Sequence, residues 1–211
     1  MTTKEKILDA SLRLFNLHGV ETITVRHIAA ELGISHGNLC YHYRRKEDII
    51  EALYYALVEE MNVHMQDSMI TTFDLNYVYT VVVRSFGTLY RYKFLFLEFV
   101  SISRSIPEIK VHFNNLELQR RNEFRQACFH LSQSGFLVSP LNEKLIDIFI
   151  EQLFLISNFW ISESEILYNG REEDKIEHYA RLAFILIVPF LNDKGKLEYD
   201  KFMNEKLGSG D

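Results

Sequence analysis

Residues 24–50 read TVRHIAAELGISHGNLCYHYRRKEDII, and this stretch decides the fold. Thr24 stands before an apolar set at Val25, Ile28, Ala29 and Leu32, spaced i, i+3, i+4 and i+7. That spacing predicts a short helix over 25–32 with Thr24 as its N-cap. Gly33-Ile34-Ser35 then makes a tight turn, in which glycine permits the bend and Ile34 plugs the gap between two helices. Ser35 caps a second short helix over 36–42, with Leu39 and, just beyond it, Tyr43 facing inward. The outward set is His36, Gly37, Asn38, Tyr41 and His42. Two short helices joined by a glycine-containing turn form a helix-turn-helix.

Upstream, Thr2 and Glu5 fit a capping box, and Ile7, Leu8, Ser11, Leu12, Leu14 and Phe15 form one wide face of a first helix that closes at His18-Gly19. Downstream, periodicity predicts helices from Lys46 to about residue 68, over about 75–92 and over 93–103. Pro107 starts another, which runs to about residue 134 and stops at Gly135. A break at 71–74 and a loop over 136–140 separate these from helices over about 141–168 and 172–191, with Pro189 bending or ending the last. The tail 192–211 is polar and is expected to be loosely ordered apart from a turn near 197–202.

Composition agrees with an all-α chain. Three prolines and nine glycines in 211 residues are few against the roughly 10 and 15 of average usage, too few for the turns of a sandwich or barrel. Cys40 and Cys128 have no partner spacing for a disulfide framework or a zinc site, and no cofactor motif occurs. His18, His27, His36 and His42 lack the paired spacing of metal ligands. The stretch MTTKEKILDA has no uninterrupted apolar core, so a secretory signal is not expected, and the greasiest runs, 182–191 and 145–161, fall short of the roughly 20 apolar residues of a membrane span. The expected setting is a reducing cytoplasm without a membrane partner. With no Gly-rich phosphate loop, nucleophile elbow or paired acid/base motif, an enzyme is not expected.

Residues 24–50 resemble the DNA-binding head of the TetR family of bacterial transcription regulators. The features that carry the resemblance are Thr24, Ile28-Ala29, Gly33-Ile34-Ser35, Gly37, Leu39, Tyr41-His42-Tyr43 and Lys46-Glu47-Asp48-Ile49. The resemblance implies a three-helix DNA-binding domain over 1–46, a larger helical ligand-binding and dimerisation domain over 47–191, and the tail 192–211. A recognition helix sets its N-terminal side chains against base edges. His36, Asn38 and His42 each donate or accept there, and Gly37 lets the backbone approach a phosphate. The resemblance makes Thr24 and Tyr41 phosphate contacts, and makes Lys46 a phosphate anchor where free helix N–H groups already favour an anion. Arg26, His27 and Ser35 complete the DNA-facing set. The sequence departs from the family's pattern at Cys40, where a tyrosine that touches the DNA backbone is usual. The thiol is a poor donor and leaves that contact without its usual hydroxyl.

The body fits the same reading. The helix over 141–168 is apolar on far more than one stripe, with only a narrow polar strip at Asp147, Glu151, Asn158 and Ser162. The last helix is similar, so both need burial from two sides. A two-fold dimer that pairs these helices into a four-helix bundle supplies it. Such a dimer sets two recognition helices about one DNA turn apart on a palindrome-like operator in double-stranded DNA. Between head and bundle lie many aromatic residues, and the resemblance implies an inducer cavity there. Phe86, Tyr90, Phe99, Phe113 and Trp160 are the candidate lining, with Met61 or Met65 as adaptable filler, for a small lipophilic, aromatic or acyl effector. The function expected is a homodimeric, ligand-responsive regulator, a repressor released from its operator by ligand. The competing reading is a ligand-binding scaffold dimer whose head contacts a protein partner rather than DNA.

The net charge of −6 argues against a nucleic-acid partner only while it is averaged. Residues 1–50 carry seven Lys+Arg against six Asp+Glu, and the remaining residues carry 16 against 23. The acidity belongs to the body, while the recognition side of the head keeps Arg26, Arg44, Arg45 and Lys46. Few phosphate contacts per subunit follow, and with them a shallow salt dependence.

Overall fold

The computed structural model describes residues 1–67, 75–133 and 135–208, and the side chains of 65–67, 131 and 205–208 fall outside what is described. The break expected at 71–74 and the Met65 side chain therefore lie outside the described residues. Among the described residues, eleven α-helices run in chain order. They are α1 Thr3–His18, α2 Val25–Glu31, α3 His36–His42, α4 Lys46–Asp67, α5 Leu75–Arg91 and α6 Lys93–Leu97. There follow α7 Phe99–Ser105, α8 Pro107–Gln133, α9 Glu143–Leu167, α10 Lys175–Phe184 and α11 Asp193–Gly208. No strand occurs among the described residues, beyond an isolated antiparallel bridge between Leu137 and Leu191.

The chain divides into two compact units. The first holds residues 1–63 and 88–114, the second 64–87 and 115–211. In the first, the caps read from the sequence are present: Thr2 and Glu5 exchange both bonds of a capping box, and Ser35 accepts from the Asn38 N–H. Gly19 (φ 78°) and Gly33 (φ 63°) hold the left-handed backbone that closes α1 and turns the chain between α2 and α3. Ile7, Ala10, Phe15, Ile28, Leu39 and Ile49 are fully or almost fully buried and form the small core. This unit extends well past residue 46, because Phe94 of α6 packs its ring on Phe15 at 5.2 Å and donates its backbone N–H to the Asn16 side chain of α1.

The single helix expected over 93–103 is two. The backbone breaks at Glu98 (φ −118°, ψ 17°), which separates α6 from α7. In the second unit the helix expected over 172–191 is a short 3-10 turn, then α10, then a 3-10 segment over Ile185–Phe190. Pro189 sits in that last segment and has no N–H to return to Ile185, so the α-helical ladder cannot continue past it.

The expected loose tail is the helix α11. Asn192 starts it by accepting the Gly195 N–H at 2.9 Å and donating its amide to the Gly135 and Leu137 carbonyls. Gly195 lies so close to the Phe136 carbonyl that a Cβ would come within 2.2 Å of its oxygen. One turn on, Tyr199 stacks on Phe184 at 5.6 Å, and Phe202 meets Tyr79 edge-on at 4.9 Å. Tyr199 and Phe202, spaced three apart, give the polar segment one apolar stripe, enough to dock it.

By length and composition α9 could cross a membrane. Its apolar side chains divide between two faces. Ile146, Phe149, Ile150, Leu153, Phe154, Trp160 and Ile161 are buried within the unit, while Leu145, Ile148, Leu155, Phe159 and Ile166 are exposed.

Candidate nucleic-acid interface

α2 and α3 present the residues singled out in the sequence. Thr24 caps α2 by accepting from the His27 N–H at 3.3 Å, and the His27 ring returns the bond, its Nδ1 accepting from the Thr24 N–H at 3.4 Å. Histidine here fills the place of the usual Glu or Gln of a capping box. Because Nδ1 accepts, the neutral ring carries its proton on Nε2, which leaves one donor on an exposed side chain. The Thr24 hydroxyl accepts in the cap and keeps its own proton to donate. Arg26 and Ser35 are exposed beside them.

On α3, His36, Gly37, Asn38 and Tyr41 are exposed and His42 half-buried. Tyr41 is 86% exposed and meets the His42 ring edge-on, at 5.2 Å. A phenol ring this open leaves its apolar faces in water, a cost that contact with another surface removes. Among the described residues, apart from its chain neighbours and the backbone of α3, nothing lies within 4 Å of a Cβ built on Gly37, and its φ is not positive, so internal packing does not call for glycine there. The Cys40 Sγ lies 3.4 Å from His36 Nε2, one turn away on the same face. Leu39 and Tyr43 are buried beneath, as their spacing predicts. The Tyr43 hydroxyl is buried without a hydrogen-bond partner among the described residues. Burial raises its pKa, and Lys4 Nζ stands 5.4 Å from the ring centroid.

The basic residues at the end of the motif differ in what they are free to do. Arg45 is engaged: its N–H and guanidinium both bond the Asp48 carboxylate, at 3.0–3.2 Å. Burial alone would raise Asp48, but these hydrogen bonds and the Arg45 charge hold its carboxyl below the usual value. Arg26 and Arg44 are exposed and make no ion pair among the described residues. Lys46, at the start of α4, donates Nζ to the Val20 carbonyl at 2.5 Å. Two of its three N–H donors remain for an anion.

Sequence reasoning missed what holds this head from behind. Asn16 of α1 donates to the Arg91 carbonyl at 2.8 Å and accepts from the Phe94 N–H at 3.1 Å, so one amide spans the α5–α6 corner. The Glu98 carboxylate accepts the Val20 N–H at 2.7 Å. These partners are 75–78 residues apart in sequence, and no local pattern announces them.

The aromatic residues proposed as effector lining fall into separate groups. Phe86 and Trp160 stack at 5.2 Å in the second unit, both almost fully buried, and Trp160 continues onto Tyr179 at 5.1 Å. Phe99 and Phe113 pack at 4.6 Å in the first unit, where Tyr90 lies under Lys93 Nζ at 5.2 Å. Met61 is half-buried. Lys175 is buried in the second unit with its ammonium on Glu165 (3.3 Å) and Glu172 (2.8 Å), a pairing not foreseen. No group of three or more potential metal-binding side chains occurs among the described residues.

Known proteins bear on this arrangement. Residues 7–53 match the family model for bacterial regulatory proteins of the tetR family, and residues 50–199 match the TetR model described as a bacterial transcriptional repressor. Over 50 residues the chain is 36% identical to the class D tetracycline repressor protein of Escherichia coli, a match covering 24% of this chain and 23% of that repressor's length. A TetR-family transcriptional regulator from Marinobacter aquaeolei VT8 superposes with a TM-score of 0.84 at 25% identity, over 92% of this chain and 93% of its own. A Saccharomonospora viridis protein solved in complex with choline shares the fold, with a TM-score of 0.69 at 17% identity over 90% and 97% of the two chains. The family models together span the helix-turn-helix head and most of the helical body, and the chain belongs to the TetR family of transcriptional regulators.

Proposed function

We propose that the protein is a homodimeric, ligand-responsive repressor that binds a palindrome-like operator through α3 and is released by a small lipophilic or aromatic ligand. The observation that carries this reading is the apolar stripe left open on the body. Leu145, Ile148, Leu155, Phe159 and Ile166 follow one another at helical spacing along α9, and Leu182 and Ile185 are open in and just past α10. Contiguous exposed apolar patches mark interaction surfaces, and a second copy related by a two-fold axis covers this stripe with itself. Two heads held by such a pair read two half-sites.

In this reading Thr24, Arg26, His27, Tyr41 and Lys46 hold phosphates, while Ser35 and Gly37 admit the backbone. His36, Asn38 and His42 face base edges. Phe86 and Trp160 offer an effector surface in one unit, and Tyr90, Phe99 and Phe113 one in the other. Ligand favours a head spacing that no longer fits two successive major grooves, so affinity falls by population shift. The expected location is the cytoplasm, with no enzymatic activity. Light scattering on the eluted protein, paired with an electrophoretic shift on the DNA next to its own gene, tests the reading. A dimer that shifts that DNA and weakens with salt is expected. A monomer, or binding insensitive to salt, contradicts it.

A further inference from the structure

We propose that Glu98 is a positioning residue for DNA binding: it holds Lys46 in place through Val20, although it belongs to the α6–α7 junction and not to the head. The inference rests on the reading of Lys46 as a phosphate contact. Val20 is gripped from both sides. Its N–H goes to the Glu98 carboxylate at 2.7 Å, and its C=O receives the Lys46 ammonium at 2.5 Å. Both bonds involve an ionised partner, the stronger class of hydrogen bond. Val20 itself is buried, and the preceding Gly19 takes the left-handed backbone (φ 78°) that aims the Val20 N–H outward from the end of α1. The fit is close, since a Cβ on Gly19 would come 3.1 Å from the Glu98 carboxylate oxygen.

A lysine side chain normally spreads over many rotamers, and ordering it on a phosphate costs entropy. With Nζ already fixed on the Val20 carbonyl, part of that cost is met before DNA arrives, and two N–H donors stay available. The carbonyl can do this only if the Gly19–Val20 backbone is itself held. The holder is Glu98, at the break between α6 and α7 (φ −118°, ψ 17°). Asn16 fixes the start of the same short helix against α1 by bonding both the Arg91 carbonyl and the Phe94 N–H. Any change that moves the α6–α7 junction therefore reaches a DNA-contacting ammonium through two hydrogen bonds.

The sign of the effect separates this role from the charge of Glu98. A carboxylate near DNA repels it, so on electrostatic grounds alone its removal strengthens binding. The positioning role predicts the opposite. Binding of the full-length protein to a mixed-sequence DNA duplex is measured across a salt series, because the phosphate term does not depend on sequence. Lys46→Ala should lower the slope of log K against log salt by about 0.9 per subunit. Glu98→Ala should lower affinity several-fold and reduce the slope by nearly as much. Adding it to Lys46→Ala should change little further, the non-additivity of residues in one network. Glu98→Asp, which keeps the charge but shortens the reach, should also lose slope, while Glu98→Gln, whose amide oxygen can still accept from Val20, should keep it. The Asp and Gln pair decides the matter even if Glu98→Ala does not fold. If Lys46→Ala lowers the slope and Glu98→Asp does not, or if the Ala effects simply add, Glu98 is not a positioning residue. If Lys46→Ala leaves the slope unchanged, the phosphate role of Lys46 fails, and this inference with it.

Discussion

Phe154 and Phe159, five residues apart on α9, face opposite ways: Phe154 is buried with its ring edge-on to Phe124 at 5.4 Å, whereas Phe159 is 62% exposed. Five residues turn a helix by nearly half a revolution beyond one full turn, so one helix packs its own unit with one face and offers an equally apolar face outward. If that outward face is the dimer seam, Phe159→Glu sets two charges against the two-fold axis. Truncating a central aromatic anchor typically costs about 2 kcal/mol or more, and a buried charge adds to it. Sedimentation or light scattering should show a dimer for the wild type and a monomer, or at least tenfold weaker association, for the variant. Helix content should be retained. A variant that stays dimeric at the same concentrations places the seam elsewhere.

Tyr43 carries its hydroxyl into the core beneath α3, where it has no hydrogen-bond partner among the described residues. Tyr43→Phe removes an unsatisfied polar group and keeps the ring, so stability should stay level or rise by up to about 1 kcal/mol. Urea denaturation checks this. DNA affinity should not change, since the group is buried away from the exposed face of α3. A clear loss of either would mean that the hydroxyl finds a partner in the functioning molecule.

In the second unit Glu117 of α8 accepts from the Asn158 amide at 3.3 Å and lies 3.6 Å from Arg121. Burial raises its carboxyl above the usual value, and these two partners offset only part of that. A carboxyl with a raised folded pKa binds its proton more tightly in the folded chain than in the unfolded one. Its contribution therefore weakens as pH climbs from the ordinary glutamate range through the folded value. Glu117→Gln keeps an acceptor for Asn158 and abolishes that titration. Thermal melts should show the variant gaining on the wild type as pH rises from about 4 to 7. A constant difference across that window would contradict the assignment.

Asn192 ties α11 to the loop before α9 by donating its amide to the Gly135 and Leu137 carbonyls, and caps the helix by accepting the Gly195 N–H. Asn192→Ala removes a helix cap as well as two carbonyl contacts. It should cost about 1–2 kcal/mol in denaturant unfolding. No loss would mean that α11 is held by its apolar stripe alone.

The head was legible because its signals are local. Thr2, Thr24 and Ser35 announce helix starts within three residues of the groups they bond, and Gly33 and Leu39 report a turn and a buried face from spacing alone. The same rule explains the failures. The periodic pattern over 93–103 carries no mark of the break at Glu98, because the Val20 N–H that Glu98 engages is 78 residues away. Lys46 reads as an unencumbered cation until Val20 is seen beneath it. The tail looked unstructured by composition, yet Tyr199 and Phe202 meet rings from α5 and α10 that only the folded chain brings near. The aromatic residues of the body were identified by type, but type does not say which rings share a wall. Phe86 pairs with Trp160, and Phe99 with Phe113.

The most direct test of the account is a nuclease footprint on the DNA flanking the protein's own gene, made with the wild type and with Asn38→Ala. The prediction is a protected segment with two symmetric half-sites about 10 base pairs apart, centre to centre, or a multiple of that spacing. Asn38→Ala should lose or relax protection at the base it faces and leave the dimer intact. Absence of any protected segment, or a footprint that Asn38→Ala leaves unchanged along with those of His36→Ala and His42→Ala, would contradict the claim that this face of α3 reads DNA.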